Sequence, residues 1–128
     1  MTQERRVLAL DYGSARTGVA VSDPTGTVAR PVTTVERATT DAGFAHLLAV
    51  IAAEEPALVV VGMPLTLRGD HGEQARETTE FVERLRGALS TPVETYDERF
   101  TSVLAEGDDA RAAAYLLSSY LEWQSARR

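Results

Sequence analysis

The sequence predicts one mixed α/β domain over residues 1–128, on three observations. Residues 7–10 and 58–61 are wholly apolar, too short for helices and too continuous for half-exposed strands, so each reads as a buried central strand. Residues 17–35 are rich in Val and Thr and broken by strong turn residues, the pattern of an antiparallel meander. Three longer segments carry apolar residues at helical spacing and alternate with the remaining strands. The order is βββαβαβα: a five-stranded mixed sheet, three antiparallel strands then two parallel ones, flanked by helices on both faces.

Each element follows from local chemistry. The first strand ends on Asp11, at the carboxyl end, where covered α/β sheets stay open to ligands. Gly13 and Gly18 bracket a tight reversal into a second strand over 17–22; taken alone, a plain hairpin with Asp as turn former fits equally. Asp23-Pro24-Thr25-Gly26 is a turn, with Pro presetting φ and Gly accepting the left-handed region. Residues 27–35 form the third strand, which Pro31 assigns to an edge or a strand end. Asp41 is a candidate cap for a helix striped by Phe44, Leu47, Leu48, Ile51 and Ala52, ended by Glu54-Glu55-Pro56. The strand at 58–61 then lies parallel to the first through a βαβ crossover. A loop over 65–72 precedes a helix over residues 73–89, with Ala75, Thr78, Phe81, Val82, Leu85 and Leu89 on one stripe. Thr91-Pro92 breaks it, and 93–96 alternates as the fifth strand, running into Asp97-Glu98-Arg99-Phe100. The last helix, over residues 109–125, gathers Ala112, Ala113, Leu116, Leu117, Tyr120 and Leu121 on one face.

Composition narrows the function. With no cysteine, a disulfide framework, a thiolate metal site and a cysteine nucleophile are excluded. His46 and His71 are the only imidazoles; His46 reads as structural within its helix, and His71 as a surface residue or a proton shuttle. No apolar run is long enough to cross a bilayer and none resembles a signal peptide, so a cytoplasmic protein without a membrane partner is expected. The net charge of −6 argues against a nonspecific nucleic-acid binder but not against an enzyme acting on nucleic acid.

In this order the first, fourth and fifth strands can be neighbours. Asp11 ends the first, Asp97 and Glu98 end the fifth, and Asp108 and Asp109 open the last helix. A carboxylate at a helix N-terminus is favoured by the free N–H groups alone, which accounts for one of the last pair. The functional reading is that Asp11, Glu98 and Asp109 converge. Three such groups repel unless a cation neutralises them, and oxygen-only ligands select Mg²⁺ or Mn²⁺. Two such ions about 4 Å apart serve phosphodiester hydrolysis.

These residues resemble the YqgF/RuvX family. Residues 10–23, Leu-Asp-Tyr-Gly-Ser-Ala-Arg-Thr-Gly-Val-Ala-Val-Ser-Asp, are similar to its opening segment. Gly62-Met63-Pro64-Leu65 with Gly69 and Gly72 resembles its central glycine-proline loop. Asp97-Glu98-Arg99-Phe100-Thr101-Ser102 resembles its Asp-Glu-Arg-hydrophobic-Thr-Thr signature, and 109–121 resembles its closing helix. The resemblance spans nearly the whole chain in the family's order. It implies an RNase H-like fold and a metal-dependent nuclease, either processing the 5′ end of precursor 16S ribosomal RNA or resolving Holliday junctions. Asp11, Glu98 and Asp109 would be the catalytic metal ligands, with Asp97 accessory or structural. Arg16, Arg99, Ser14 and Arg68 are candidate substrate contacts: Arg16 by forked hydrogen bonds to phosphate unless it is a solvated turn residue, Arg99 by contacting substrate or else orienting a carboxylate, Ser14 and Gly13 by backbone N–H groups. Structured RNA or branched DNA would be the partner, and symmetric cutting of a four-way junction would favour a homodimer. The family carries a longer Lys- and Arg-rich stretch where this chain has only 103–108. Either the protein lacks that loop or its residues are missing from the sequence, and the abrupt join into a well-formed helix favours the second.

Two other functions compete. Asp-x-Gly-Ser followed by Gly-Val-Ala-Val also resembles the phosphate hairpin of actin-like ATPases and sugar kinases, but 128 residues cannot supply their two lobes. A non-catalytic RNA-binding module on a nuclease scaffold suits the acidic charge and conflicts with the intact carboxylate set.

Overall fold

The computed structural model describes residues 5–64, 72–98 and 109–126, at Glu98 the backbone alone. Strands β1 (Val7–Asp11), β2 (Arg16–Ser22) and β3 (Ala29–Glu36) are followed by α1 (Asp41–Glu54) and β4 (Leu58–Pro64). Then come α2 (Glu73–Ala88), β5 (Val93–Glu98) and α3 (Asp109–Ala126). The sheet order is β3-β2-β1-β4-β5, so the mixed α/β expectation holds element by element. β1 pairs antiparallel with β2 and parallel with β4, and β5 extends the parallel side.

Alternation in β1 divides the core. Leu8 and Leu10 point to the face covered by α1 and α2, joining Phe44, Leu47, Ile51, Phe81, Val82 and Leu85. Val7 and Ala9 point to the opposite face, where α3 packs Ala113, Leu116, Leu117 and Tyr120 against Ala20 and Val60. Because both faces are covered, β1 and β4 can be apolar on both sides, which is why their runs lack alternation. Each fully buried Leu of α3 contributes about 1.5–3 kcal/mol.

The turn at Asp23 forms as expected, with Gly26 at φ 74°. Asp23 Oδ1 accepts from the N–H groups of Thr27 at 2.8 Å and Val28 at 3.0 Å, making the carboxylate the turn's organiser. Pro31 lies in edge strand β3, at a bulge where the register steps from Val19↔Thr33 to Ala20↔Pro31. Two local expectations need correction. The cap of α1 is Thr40, whose hydroxyl accepts from Gly43 N–H at 3.0 Å, while Asp41 is the first helical residue. His46 is exposed on α1 and has no packing role.

Candidate active site

Two of the three residues predicted to converge, Asp11 and Asp109, come to the same end of the sheet, and a glycine makes that approach of backbones possible. Asp11 is the last residue of β1 and stands opposite Gly18 of β2. It is in step with Val7 and Ala9, so its side chain leaves the sheet on the α3 face. On that face a Cβ at Gly18 would lie 1.7 Å from the carbonyl oxygen of Asp109. The first turn of α3 therefore rests on bare backbone at Gly18, directly across from Asp11. This close approach, not turn geometry, is what position 18 requires of glycine.

Arg16, at the start of β2, completes the group. Its Nε donates to Asp109 Oδ2 at 2.8 Å, across 93 positions of sequence. The arginine side chain is 57% exposed and the aspartate 30% exposed, so the pair stands at the rim. Among the described residues the two Nη groups of Arg16 have no partner, and Oδ1 of Asp109 has none either. Ser14 is exposed in the turn between β1 and β2.

The residue after Asp11 points the other way. Tyr12 is buried against α2, stacked on Phe81 with ring centroids 4.5 Å apart. Burial, then the charges of Glu77 and Glu80, raise its phenol above the ordinary range. Tyr12 thus anchors the β1 end from beneath and leaves Asp11 facing α3. At the far side, β5 continues to Glu98, whose backbone pairs with Pro64 of β4. Glu94 and Tyr96 of β5 meet α3, through bonds from Tyr120 Oη to Glu94 at 3.1 Å and between Tyr96 Oη and Ser119 Oγ at 2.8 Å. Position 98 is in step with them, whereas exposed Asp97 is in step with buried Val93. Arg68, His71, Arg99 and Asp108 lie outside the described residues. Tyr115 and Trp123 are partly exposed on α3, the latter tilted against Tyr96 and Tyr120.

One cation escaped the sequence reading. Arg37 follows Glu36, the register partner of Arg16, and its N–H donates to Ala15 O at 2.9 Å. With φ at 50° and an exposed side chain, it brings a second guanidinium to this end of the sheet. Only the β2–β3 register reveals this. A cavity of about 600 Å³ opens at the other end of the sheet, by Arg5, Gly26, Leu58 and Leu121, and contains none of these groups.

The five-stranded mixed sheet with helices on both faces defines the class: an α/β fold of the RNase H-like kind. The structure is similar to Thermus thermophilus RuvC in complex with a Holliday junction, at a TM-score of 0.61 and 16% identity, over 94% of this chain and 96% of that one. It is also similar to the Fowlpox virus resolvase, at 0.56 and 12%, over 93% and 98%. At such identities the likeness is one of fold. The family model described as "RuvX: Holliday junction resolvase" matches residues 5–123, and the chain belongs to that family.

Curated relatives carry the name "Putative pre-16S rRNA nuclease". One from Chloroflexus aggregans is 44% identical over 103 residues, 80% of this chain and 72% of the relative. Another, from Oleidesulfovibrio alaskensis, is 38% identical over 138 aligned positions, 96% of each chain. Since 96% of 128 residues cannot fill 138 positions, roughly fifteen residues of that relative face none in this chain. Among the described residues, no helix is long and apolar enough to cross a membrane.

Proposed function

We propose that this chain is a divalent-metal-dependent nuclease that hydrolyses phosphodiester bonds, acting in the 5′-end processing of pre-16S ribosomal RNA in the cytoplasm. The placement of Asp11 against Asp109 across Gly18 carries the reading. Oxygen donors without imidazole or thiolate fit Mg²⁺ or Mn²⁺. Among the described residues no third ligand joins the pair, and Glu98, at the end of β5, is the residue proposed to complete the set. Bound there, the ions would supply an activated water and stabilise the leaving oxygen.

The chain's own residues do the rest. Asp11 and Asp109, fixed on a strand end and a helix start, hold the reacting centre on rigid elements. Arg16 offers forked donors to a phosphate, Ser14 and Gly13 offer backbone N–H groups, and Arg37 extends the positive edge toward β3. Arg99 and Arg68 are proposed as further phosphate contacts. The relatives' name favours ribosomal RNA as substrate, while the family description and the RuvC-like fold support a second reading, cleavage of four-way DNA junctions by a homodimer.

A synthetic four-way junction and a 16S precursor 5′ leader, each incubated with Mg²⁺, Mn²⁺ or EDTA, separate the readings. Metal-dependent trimming of the leader alone supports the first; paired symmetric nicks in the junction alone support the second. Asp11→Asn is expected to cut at least about a thousandfold more slowly while melting at an unchanged temperature. Full activity in that variant would remove Asp11 from the site.

A further inference from the structure

We propose that Arg16 is the site's internal counter-ion: it holds Asp109 while no divalent metal is bound, and is released to the substrate phosphate when one binds. The proposal rests on the metal site inferred above. Its observation is the 2.8 Å bond from Arg16 Nε to Asp109 Oδ2, which ties a proposed phosphate contact to a proposed metal ligand.

The physical case has three parts. The backbones of Asp11 and Asp109 both lie against Gly18, and carboxylates brought to one place in this way repel unless a positive charge lies between or beside them. Arg16 supplies that charge without metal, through a charge-assisted hydrogen bond. Second, among the described residues nothing else holds the arginine there. Its side chain is 57% exposed and, among the described residues, Asp109 is its only polar partner, so it can swing from its strand-end stem without disturbing the core. Third, a divalent cation on Asp109 sets a double positive charge beside the guanidinium. The attraction that held Arg16 becomes repulsion, just where a phosphate would bring a compensating negative charge.

The consequence is an order of loading. Phosphate contact by Arg16 is weak while the arginine is engaged by Asp109, and strengthens once metal has freed it. By linkage, phosphate binding must then tighten metal binding by the same factor. A residue that merely oriented Asp109 for the metal would do the reverse, because removing it would leave a poorer ligand.

Two measurements decide, neither depending on turnover. Free Mn²⁺, followed by its electron paramagnetic resonance signal, gives the metal affinity of wild type, Arg16→Ala and Asp11→Asn, each checked by thermal melting. Arg16→Ala is expected to bind Mn²⁺ roughly three- to tenfold more tightly than wild type. The second uses the wild-type chain labelled with ¹⁵N-arginine. The Arg16 Nε–H resonance should move from its hydrogen-bonded position toward that of a free guanidinium as Mg²⁺ is added, in step with occupancy. Unchanged or weaker Mn²⁺ binding in Arg16→Ala, or an Nε–H signal indifferent to Mg²⁺, overturns the exchange. Asp11→Asn tells that failure from a misplaced metal site: if wild type binds Mn²⁺ and Asp11→Asn does not, the site stands and the exchange alone fails. Equal binding by wild type and Asp11→Asn would remove both.

Discussion

Asp23 shows how much structure a single exposed side chain can organise. The Thr25 hydroxyl, followed by the N–H groups of Val28 and Thr27, holds its carboxyl down at about 2, against an ordinary 3.8. Because the folded value lies below the unfolded one, the charged form stabilises the fold fully above about pH 4 and loses that effect as pH falls toward 2. Asp23→Asn should therefore flatten the acid limb of stability. Urea midpoints measured from pH 6 to pH 2 should show wild type ahead at the upper end and the two curves converging at the lower. A constant gap would mean that the hydroxyl and N–H donors do not favour the charged form. Thr40 makes a comparable but uncharged contribution at the start of α1, where its hydroxyl accepts from Gly43 N–H. Thr40→Ala is expected to cost about 1 kcal/mol in chemical denaturation, whereas Asp41→Ala should cost less. Thr and Asp are both good caps, so adjacent in sequence they look alike; only the backbone geometry at Thr40 separates them.

Between elements, the decisive contact is that of α3 with β2. A methyl group at Gly18 would occupy the place of the Asp109 carbonyl, so Gly18→Ala must lift the start of α3 off the sheet. The expected cost is about 1–3 kcal/mol, read as a lower denaturation midpoint, with Mn²⁺ affinity falling well beyond what that loss explains. Leu116→Ala, buried on the same helix but two turns from the site, should cost about 2–5 kcal/mol and leave the metal affinity of the folded fraction intact. Equal metal affinity in the two variants would detach Gly18 from the site. This contrast also marks what the sequence could reveal. Strands and helices were legible because their signals are local: apolar runs for β1 and β4, the turn at Asp23, and helical stripes that match Phe81, Val82 and Leu85 or Leu116, Leu117 and Tyr120. β4 and β5 run further than their apolar or alternating cores, to Pro64 and Glu98, because pairing with each other sustains them. The carboxylate ends were visible as strand and helix termini. The role of Gly18, the Arg16–Asp109 bond and the arrival of Arg37 were not, since each depends on which distant backbone lies opposite.

At the scale of the whole molecule, charge sets how nucleic acid is held. All thirteen cationic side chains are arginines, against nineteen acidic ones, for a net charge of −6. Such a chain gains little from the diffuse attraction that lets basic proteins bind any duplex. Several arginines are also committed within the fold: Arg84 to Asp41 and Thr39 O, Arg86 to Glu83 and Val93 O, Arg30 to Glu54. Among the described residues Arg16 and Arg37 stand at the strand ends near the carboxylates, and with the proposed contacts Arg68 and Arg99 they would serve a few phosphates. Binding should accordingly be local, metal-assisted and weakly dependent on salt. With Ca²⁺ present to allow binding, the anisotropy of a labelled pre-16S leader should report affinity falling with NaCl at a log–log slope of about −2 to −3. Arg37→Ala should make that slope shallower by about one, as expected for one phosphate contact, and leave Mn²⁺ affinity unchanged. EDTA should weaken binding by more than any added salt does, because without metal the carboxylates at the strand ends repel the phosphate that Arg16 would otherwise receive. A slope steeper than about −6, insensitive to EDTA, would instead describe a wide basic footprint that this acidic surface does not offer.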